Sequence, residues 1–141
     1  VKVGASSFQN CEKLKTFISC EKLETISDAA FEGCSGLAEV TFGRGLIKIG
    51  DFAFSSCPQL SRVTITGSVK SIGANAFSSC ASLTTIYLPA SLETVAPNAF
   101  LNCSGLANVN YAGTASAWSK IAVEKGNEYL QIAAVSYSQK P

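Results

Sequence analysis

The chain has 141 residues, 47% hydrophobic and 15% charged, with a formal net charge of +1. That length fits one domain, and the balanced charge gives no basic excess to draw in nucleic acid or an anionic membrane. The apolar runs are far shorter than a membrane span of about 20 residues, and the absence of histidine removes the usual general base and the commonest transition-metal ligand.

The chain begins at Val1 and contains no Met. It reads as a mature product or an excised fragment, so the missing signal peptide says nothing about export. Residues 1–7 read as the tail of an incomplete coil, because Val3 precedes Ile26 by the same step that separates Ile26 from Ile49 and Ile49 from Ile72. From Phe8 onward three columns keep that step over five copies. They are Phe8, Phe31, Phe54, Phe77, Phe100; Cys11, Cys34, Cys57, Cys80, Cys103; and Leu14, Leu37, Leu60, Leu83, Leu106. A fixed period of this size means a solenoid, one turn of chain per repeat.

Within each coil the order of parts is constant. A strand carries two apolar sites two residues apart, such as Val63/Ile65 and Ile86/Leu88, which therefore share one face. Pro89, or Gly43 and Gly67, then ends the strand. A pair three apart (Leu46/Ile49, Val69/Ile72, Leu92/Val95) reads as a return segment on the opposite wall. Ala-Phe-x-x-Cys follows, its spacing suited to one helical or 3₁₀ turn, with Asp28 and Asp51 placed to cap it. Stacked coils put each strand parallel to its copy, about 4.8 Å away. Crossovers between parallel strands are right-handed. The expected fold is a right-handed superhelix of about six coils, mostly parallel β with short helical or 3₁₀ turns.

After Tyr111 the period breaks. Ser116 to Val123 reads as a short helix with Trp118, Ile121 and Ala122 on one face, started by Thr114 or Ser116 and stopped by Gly126. Ile132, Val135 and Tyr137 repeat the spacing of Leu106, Val109 and Tyr111 after a longer step than that of the coils, predicting a last strand. The chain thus divides into repeats over 1–111 and a C-terminal cap over 112–141, since terminal repeats must cover an open core end. Nothing before Phe8 covers the first coil, so that end is expected to invite self-association.

Ala-Phe-x-x-Cys-x-x-Leu-x-x-Ile-x-Leu-Pro, as it stands over 76–89, resembles the BspA-like, treponemal-type leucine-rich repeats. The resemblance covers residues 3–111. The tail, with Tyr-Ala-Gly-Thr at 111–114, Trp118 and the Gly126-Asn127 turn, looks like the C-terminal unit of such proteins. The resemblance implies a leucine-rich-repeat solenoid from a bacterial or protist secreted or cell-surface protein, several relatives being adhesins. It implies no catalytic residues. The first coil departs from the pattern, with Ser7 for Ala and Ser19 for the second strand apolar.

Six cysteines invite a disulfide count. Five of them share one inward column, where Cys serves as a small buried hydrophobe, and parallel side chains hold neighbouring Cβ atoms too far apart to bridge well. Collinear thiols without His also make no metal tetrahedron. A reduced ladder is expected, and Cys20, in the turn after a strand, is the exposed thiol. Asn102-Cys103-Ser104 matches the glycosylation acceptor pattern but sits in the repeat turn. Trp118 suits a lid on the last coil better than a ligand platform. The Glu residues occupy repeat positions that vary from coil to coil, which is the mark of a solvated surface. No nucleophile, acid–base pair, metal set or cofactor motif emerges, so an enzyme is not expected, and no cofactor is.

The outward strand sites vary from coil to coil: Thr16 and Ile18, Glu39 and Thr41, Arg62 and Thr64, Thr85 and Tyr87, Asn108 and Asn110. In leucine-rich repeats, by the resemblance, this sheet is the concave wall that binds. The candidate ligand face is Glu39, Arg62, Thr64, Thr85, Tyr87, Asn108 and Asn110, centred on Arg62 and Tyr87, residue types enriched at hot spots. A solvent-exposed contact between Glu39 and Arg62, in register on neighbouring strands, is expected. The function this supports is a protein- or glycan-binding adhesion module at an extracellular or cell-surface location, with no nucleic-acid partner and no membrane insertion. The alternative is a structural spacer that holds another domain away from the cell.

Overall fold

The computed structural model describes residues 1–138. Two parallel sheets run the length of the molecule, and the chain alternates between them. One holds the longer strands: β2 (Thr16–Ile18), β4 (Glu39–Phe42), β6 (Arg62–Ile65), β8 (Thr85–Leu88), β10 (Asn108–Tyr111) and β12 (Ala134–Tyr137). The other holds two-residue strands: β1 (Lys2–Val3), β3 (Thr25–Ile26), β5 (Lys48–Ile49), β7 (Ser71–Ile72), β9 (Thr94–Val95) and β11 (Ala122–Val123). Every pairing up to β10 joins residues one repeat apart, such as Val40 with Val63 and Ile49 with Ile72. Val3 pairs with Ile26 on the same step, so the alignment of the N-terminal strand holds.

The core lies between the sheets and is made of columns. Phe31, Phe54, Phe77 and Phe100, with the Cys, Leu and Ala residues of their coils, are buried. The phenyl rings stack with centroids 5.0–5.4 Å apart and planes within 11° of parallel. The ring spacing follows the inter-strand spacing of about 4.8 Å, so identical side chains one coil apart meet at van der Waals distance. One coil alone has no second ring to stack on, which is why stability comes only with neighbours.

The Ala-Phe segment is not helical. It is a run of tight turns with i→i−3 bonds, such as Ala30 N–H to Ser27 O and Cys34 N–H to Phe31 O. Two left-handed residues per coil break the run before it becomes a helix. One column is Ser6, Ala29, Phe52, Asn75, Asn98 and Gly126; the other is Asn10, Gly33, Ser56, Ser79 and Asn102. The turn backbone is laddered too. The Phe8, Phe31, Phe54 and Phe77 N–H groups donate to the alanine carbonyl of the next coil, at 2.7–2.8 Å. Asp28 and Asp51 cap across coils rather than within one: Asp28 Oδ1 accepts from Asp51 N–H and Asp51 Oδ1 from Ala74 N–H.

All six cysteines are free thiols, four of them buried, with Cys20 exposed. The ladder does more than fill space. Cys34, Cys57, Cys80 and Cys103 each donate an S–H bond to a phenylalanine carbonyl of the previous coil, at 3.0–3.3 Å. Burial pushes the Cys57 and Cys103 thiols up to about 12, because a thiolate would lose its solvation there. Cys80 is raised well above its usual value and Cys34 is raised as well, for the same leading reason.

The last coil departs from the expected one. The helix α1 is only Ala115–Trp118, with Thr114 as N-cap accepting from Ala117 N–H. Ala122 is not on its face but in β11, where Val123 pairs with Val95 across a step longer than the repeat. A second short helix, α2 (Glu128–Ile132), then leads to β12, whose Val135 and Tyr137 pair with Val109 and Tyr111 as the spacing predicts. Ile132 points to solvent at 76% exposure, and Leu130 takes the buried place instead. Trp118 is half-buried against the Tyr111 ring, 5.2 Å between centroids, as a lid residue should be. Gly113 is required there, since a Cβ would lie 2.6 Å from the same ring.

Asn127 is buried and ends the turn ladder. Its Oδ1 accepts from Phe100 N–H at 2.9 Å, the bond that an alanine carbonyl makes in earlier coils. Its Nδ2 donates to the Ala96 and Glu124 carbonyls.

Candidate functional site

On the longer strands, residues alternate between core and surface. Val63 and Ile65 face in, so Arg62 and Thr64 face out; the same holds for Thr85 and Tyr87 on β8 and for Asn108 and Asn110 on β10. Register then builds rows across the strands. Glu39, Arg62, Thr85 and Asn108 form one row, and Thr41, Thr64, Tyr87 and Asn110 the next. All seven sequence-predicted residues therefore lie on one continuous face. Ser136, opposite Asn110 on β12, extends it and donates to Asn110 Oδ1 at 2.6 Å. Sequence reading left Ser136 out, although the offset of the last strand already aligned it with Asn110.

Arg62 does not turn to Glu39. The two are register partners, but the ion pairs among the described residues are Val1 with Glu24 and Lys70 with Glu93. Arg62 leans diagonally the other way. Its Nη2 donates to Tyr87 Oη at 2.9 Å, and its Cζ lies 5.2 Å from the Tyr87 ring centroid, within reach of a cation–π attraction. An exposed Glu39–Arg62 pair would gain little in water. The phenol offers a directed acceptor and a polarisable ring at once. The pair meets at the centre of the face, and Glu39 is left solvated.

Two hollows flank Tyr87. A shallow one of about 340 Å³ is bordered by Thr85, Asn108, Asn110, Val135 and Ser136. A larger groove of about 590 Å³ crosses the carboxyl ends of β6, β8, β10 and β12. Ile18, at the other end of the sheet, is 72% exposed and isolated from both. Among the described residues no group of three or more His, Cys, Asp or Glu is placed to hold a metal ion, and no helix is long and apolar enough to cross a membrane.

The sequence matches the BspA type leucine rich repeat region in six copies over residues 1–127. The chain belongs to the BspA-type leucine-rich-repeat family. Solved structures of this kind share its fold. A leucine-rich-repeat protein of T. pallidum superposes with a TM-score of 0.75 at 32% identity, over 81% of this chain and 55% of that one. A leucine-rich cell surface protein of Faecalibacterium prausnitzii gives 0.59 at 27%, over 79% and 35%. A leucine-rich-repeat protein of Eubacterium ventriosum, at 19% identity and a TM-score of 0.62 over 90% and 44%, shows the fold alone. The BspA-type chain thus spans about half of the T. pallidum protein and about a third of the F. prausnitzii one. No curated protein matches it. Leucine-rich-repeat solenoids of this family are generally non-catalytic interaction scaffolds.

Proposed function

We propose that this chain is a protein-binding module of a bacterial surface protein, and that partners dock on the outward face of the longer-strand sheet. The observation that carries this is the Arg62–Tyr87 pair. Arg and Tyr are the side chains that most often dominate interface energetics, and here each holds the other in place before a partner arrives, which cuts the entropy cost of binding. Thr64, Thr85, Asn108 and Asn110 surround the pair with uncharged hydrogen-bonding groups, and Glu39 marks the rim. A spacer would need none of this organisation. The surface location follows the family and the F. prausnitzii relative described as a cell surface protein. Residues 1–111 supply the repeats and 112–141 the cap in this reading, with Asn127 in support of the division.

The test is binding of the labelled chain to an array of extracellular proteins. Arg62→Ala with Tyr87→Ala should weaken capture of the preferred partners at least tenfold while the melting temperature stays within a few degrees. Lys48→Ala with Thr94→Ala, on the opposite sheet, should change neither. Capture that is indifferent to Arg62 and Tyr87, or no capture at all, would put the spacer in its place.

A further inference from the structure

The smaller hollow beside Tyr87 has a chemistry of its own, and register builds it. On the outward face Tyr87, Asn110 and Ser136 share one row across β8, β10 and β12, and Thr85, Asn108 and Ala134 share the next. Side chains shrink toward β12. The Tyr87 ring therefore stands as a wall, the two carboxamides lie beside it, and Ala134 and Ser136 leave the far side low. Arg62 reaches Tyr87 from β6, so it does not enter the hollow, which lies on the β10–β12 side of the ring. The volume of about 340 Å³ is at the small end of ligand clefts, roughly 300–1,000 Å³, and suits one ring rather than a folded segment.

The hydrogen-bonding groups of this lining are neutral and of both kinds. Among the described residues the Asn108 carboxamide, the Thr85 hydroxyl and Asn110 Nδ2 make no bond within the protein. Ser136 Oγ donates to Asn110 Oδ1 and still accepts. Tyr87 Oη accepts from Arg62 and keeps its own proton to donate. No Asp, Glu, Lys, Arg or His lines the hollow, so a charged ligand group would give up water there without a counter-charge. A partner's side chain would bring one polar tip to a ring of five polar side chains. A pyranose brings hydroxyls around its whole edge, each able to donate and to accept, and an apolar C–H face that can pack on a tyrosine ring. We infer that this hollow binds a neutral pyranose unit of a glycan, its C–H face on Tyr87 and its hydroxyls on Asn108, Asn110, Thr85 and Ser136. This goes beyond the protein-docking reading above: the ligand is a sugar, and Arg62 does not touch it.

The probes are the methyl glycosides of glucose, galactose, mannose and N-acetylglucosamine, titrated singly into the ¹⁵N-labelled full chain. Sialic acid and an acetyl-(Gly-Ser)₅ amide serve as comparisons. At least one glycoside should give saturable shifts at the side-chain amides of Asn108 and Asn110 and at the backbone amide of Ser136, and neither comparison should. Asn108→Ala should weaken that glycoside at least fivefold. Ala134→Leu, at an exposed site, fills the hollow without removing a polar group and should do the same, with the rest of the amide spectrum unchanged in both variants. Silence with all four glycosides, saturation elsewhere, tighter binding of sialic acid or the peptide at the same amides, or indifference to both variants would each overturn the inference. If the glycosides are silent while array partners still depend on Arg62 and Tyr87, the sugar site falls and the docking face stands. If a glycoside fills the hollow while array partners ignore Arg62 and Tyr87, the docking face falls and the sugar site stands.

Discussion

Replacing Asn127 with Ala should open the C-terminal end of the solenoid. In the native chain the carboxamide serves three backbone groups: the Phe100 N–H, the Glu124 carbonyl and the Ala96 carbonyl. Ala96 O keeps a second donor in Ala99 N–H, and the carbonyl of the exposed Glu124 can turn to water, so truncation orphans one buried group, the Phe100 N–H. An orphaned buried donor costs about 1–3 kcal/mol, and the loss should fall in that range. Asn127→Asp keeps the acceptor but sets a carboxylate against two carbonyls, and should cost at least as much. The control is Asn108→Ala, an exposed site where a surface substitution stays within about 0.5 kcal/mol. Urea titration gives the midpoints, and native-state hydrogen exchange at the Phe100 amide reports the local opening. A loss at Asn127 no greater than at Asn108, with Phe100 still protected, would show that the carboxamide does not stand in for the next coil.

Two further changes probe the repeat itself. The buried thiols make stability fall with alkali: an unfolded cysteine ionises near pH 8.5, whereas Cys57 and Cys103 hold their protons up to about 12. The folded state therefore binds more protons in that window, and each such thiol removes about 1.4 kcal/mol of stability per pH unit. Urea midpoints between pH 8 and 10.5 should drop less steeply for Cys57→Ala than for wild type, and parallel slopes would contradict the buried-thiol account. Phe52 holds a φ of 57° and is 43% exposed, where the same column elsewhere carries Asn75 and Asn98. A bulky residue in that region costs about 1–2 kcal/mol, so Phe52→Asn should raise stability by about 0.5–1 kcal/mol after the loss of some ring contact; a lower melting temperature would mean the ring's packing outweighs the strain.

The columns explain why the solenoid was legible from residues alone. Phe, Cys and Leu recur at one step because each must meet its own copy in the next coil, and a stacking requirement repeats in sequence as it does in space. The turns were harder. Left-handed sites filled by Ser6, Ala29, Phe52 and Asn75 carry no glycine signal, and the i, i+3 spacing of Phe and Cys imitates a helical turn. The last coil misled for a different reason. Trp118, Ile121 and Ala122 share a helical spacing, but α1 ends at Trp118 and its extra residues lengthen the step to β11, so Ala122 lies in a strand while Asn127 accepts the bond that an alanine carbonyl takes in earlier coils. On the candidate face, alternation placed every residue on its side and register placed its neighbours. Which neighbour Arg62 chose was a matter of side-chain direction, and Glu39 and Tyr87 were both within its reach.

Where partners dock is read most directly by site-specific photocrosslinking, with benzoylphenylalanine placed singly at Thr85 on the longer-strand face and at Thr94 on the opposite sheet. With the chain exposed to its captured extracellular partners, covalent adducts should form from position 85 and not from position 94. Adducts from position 94 alone would contradict docking on the Arg62–Tyr87 face.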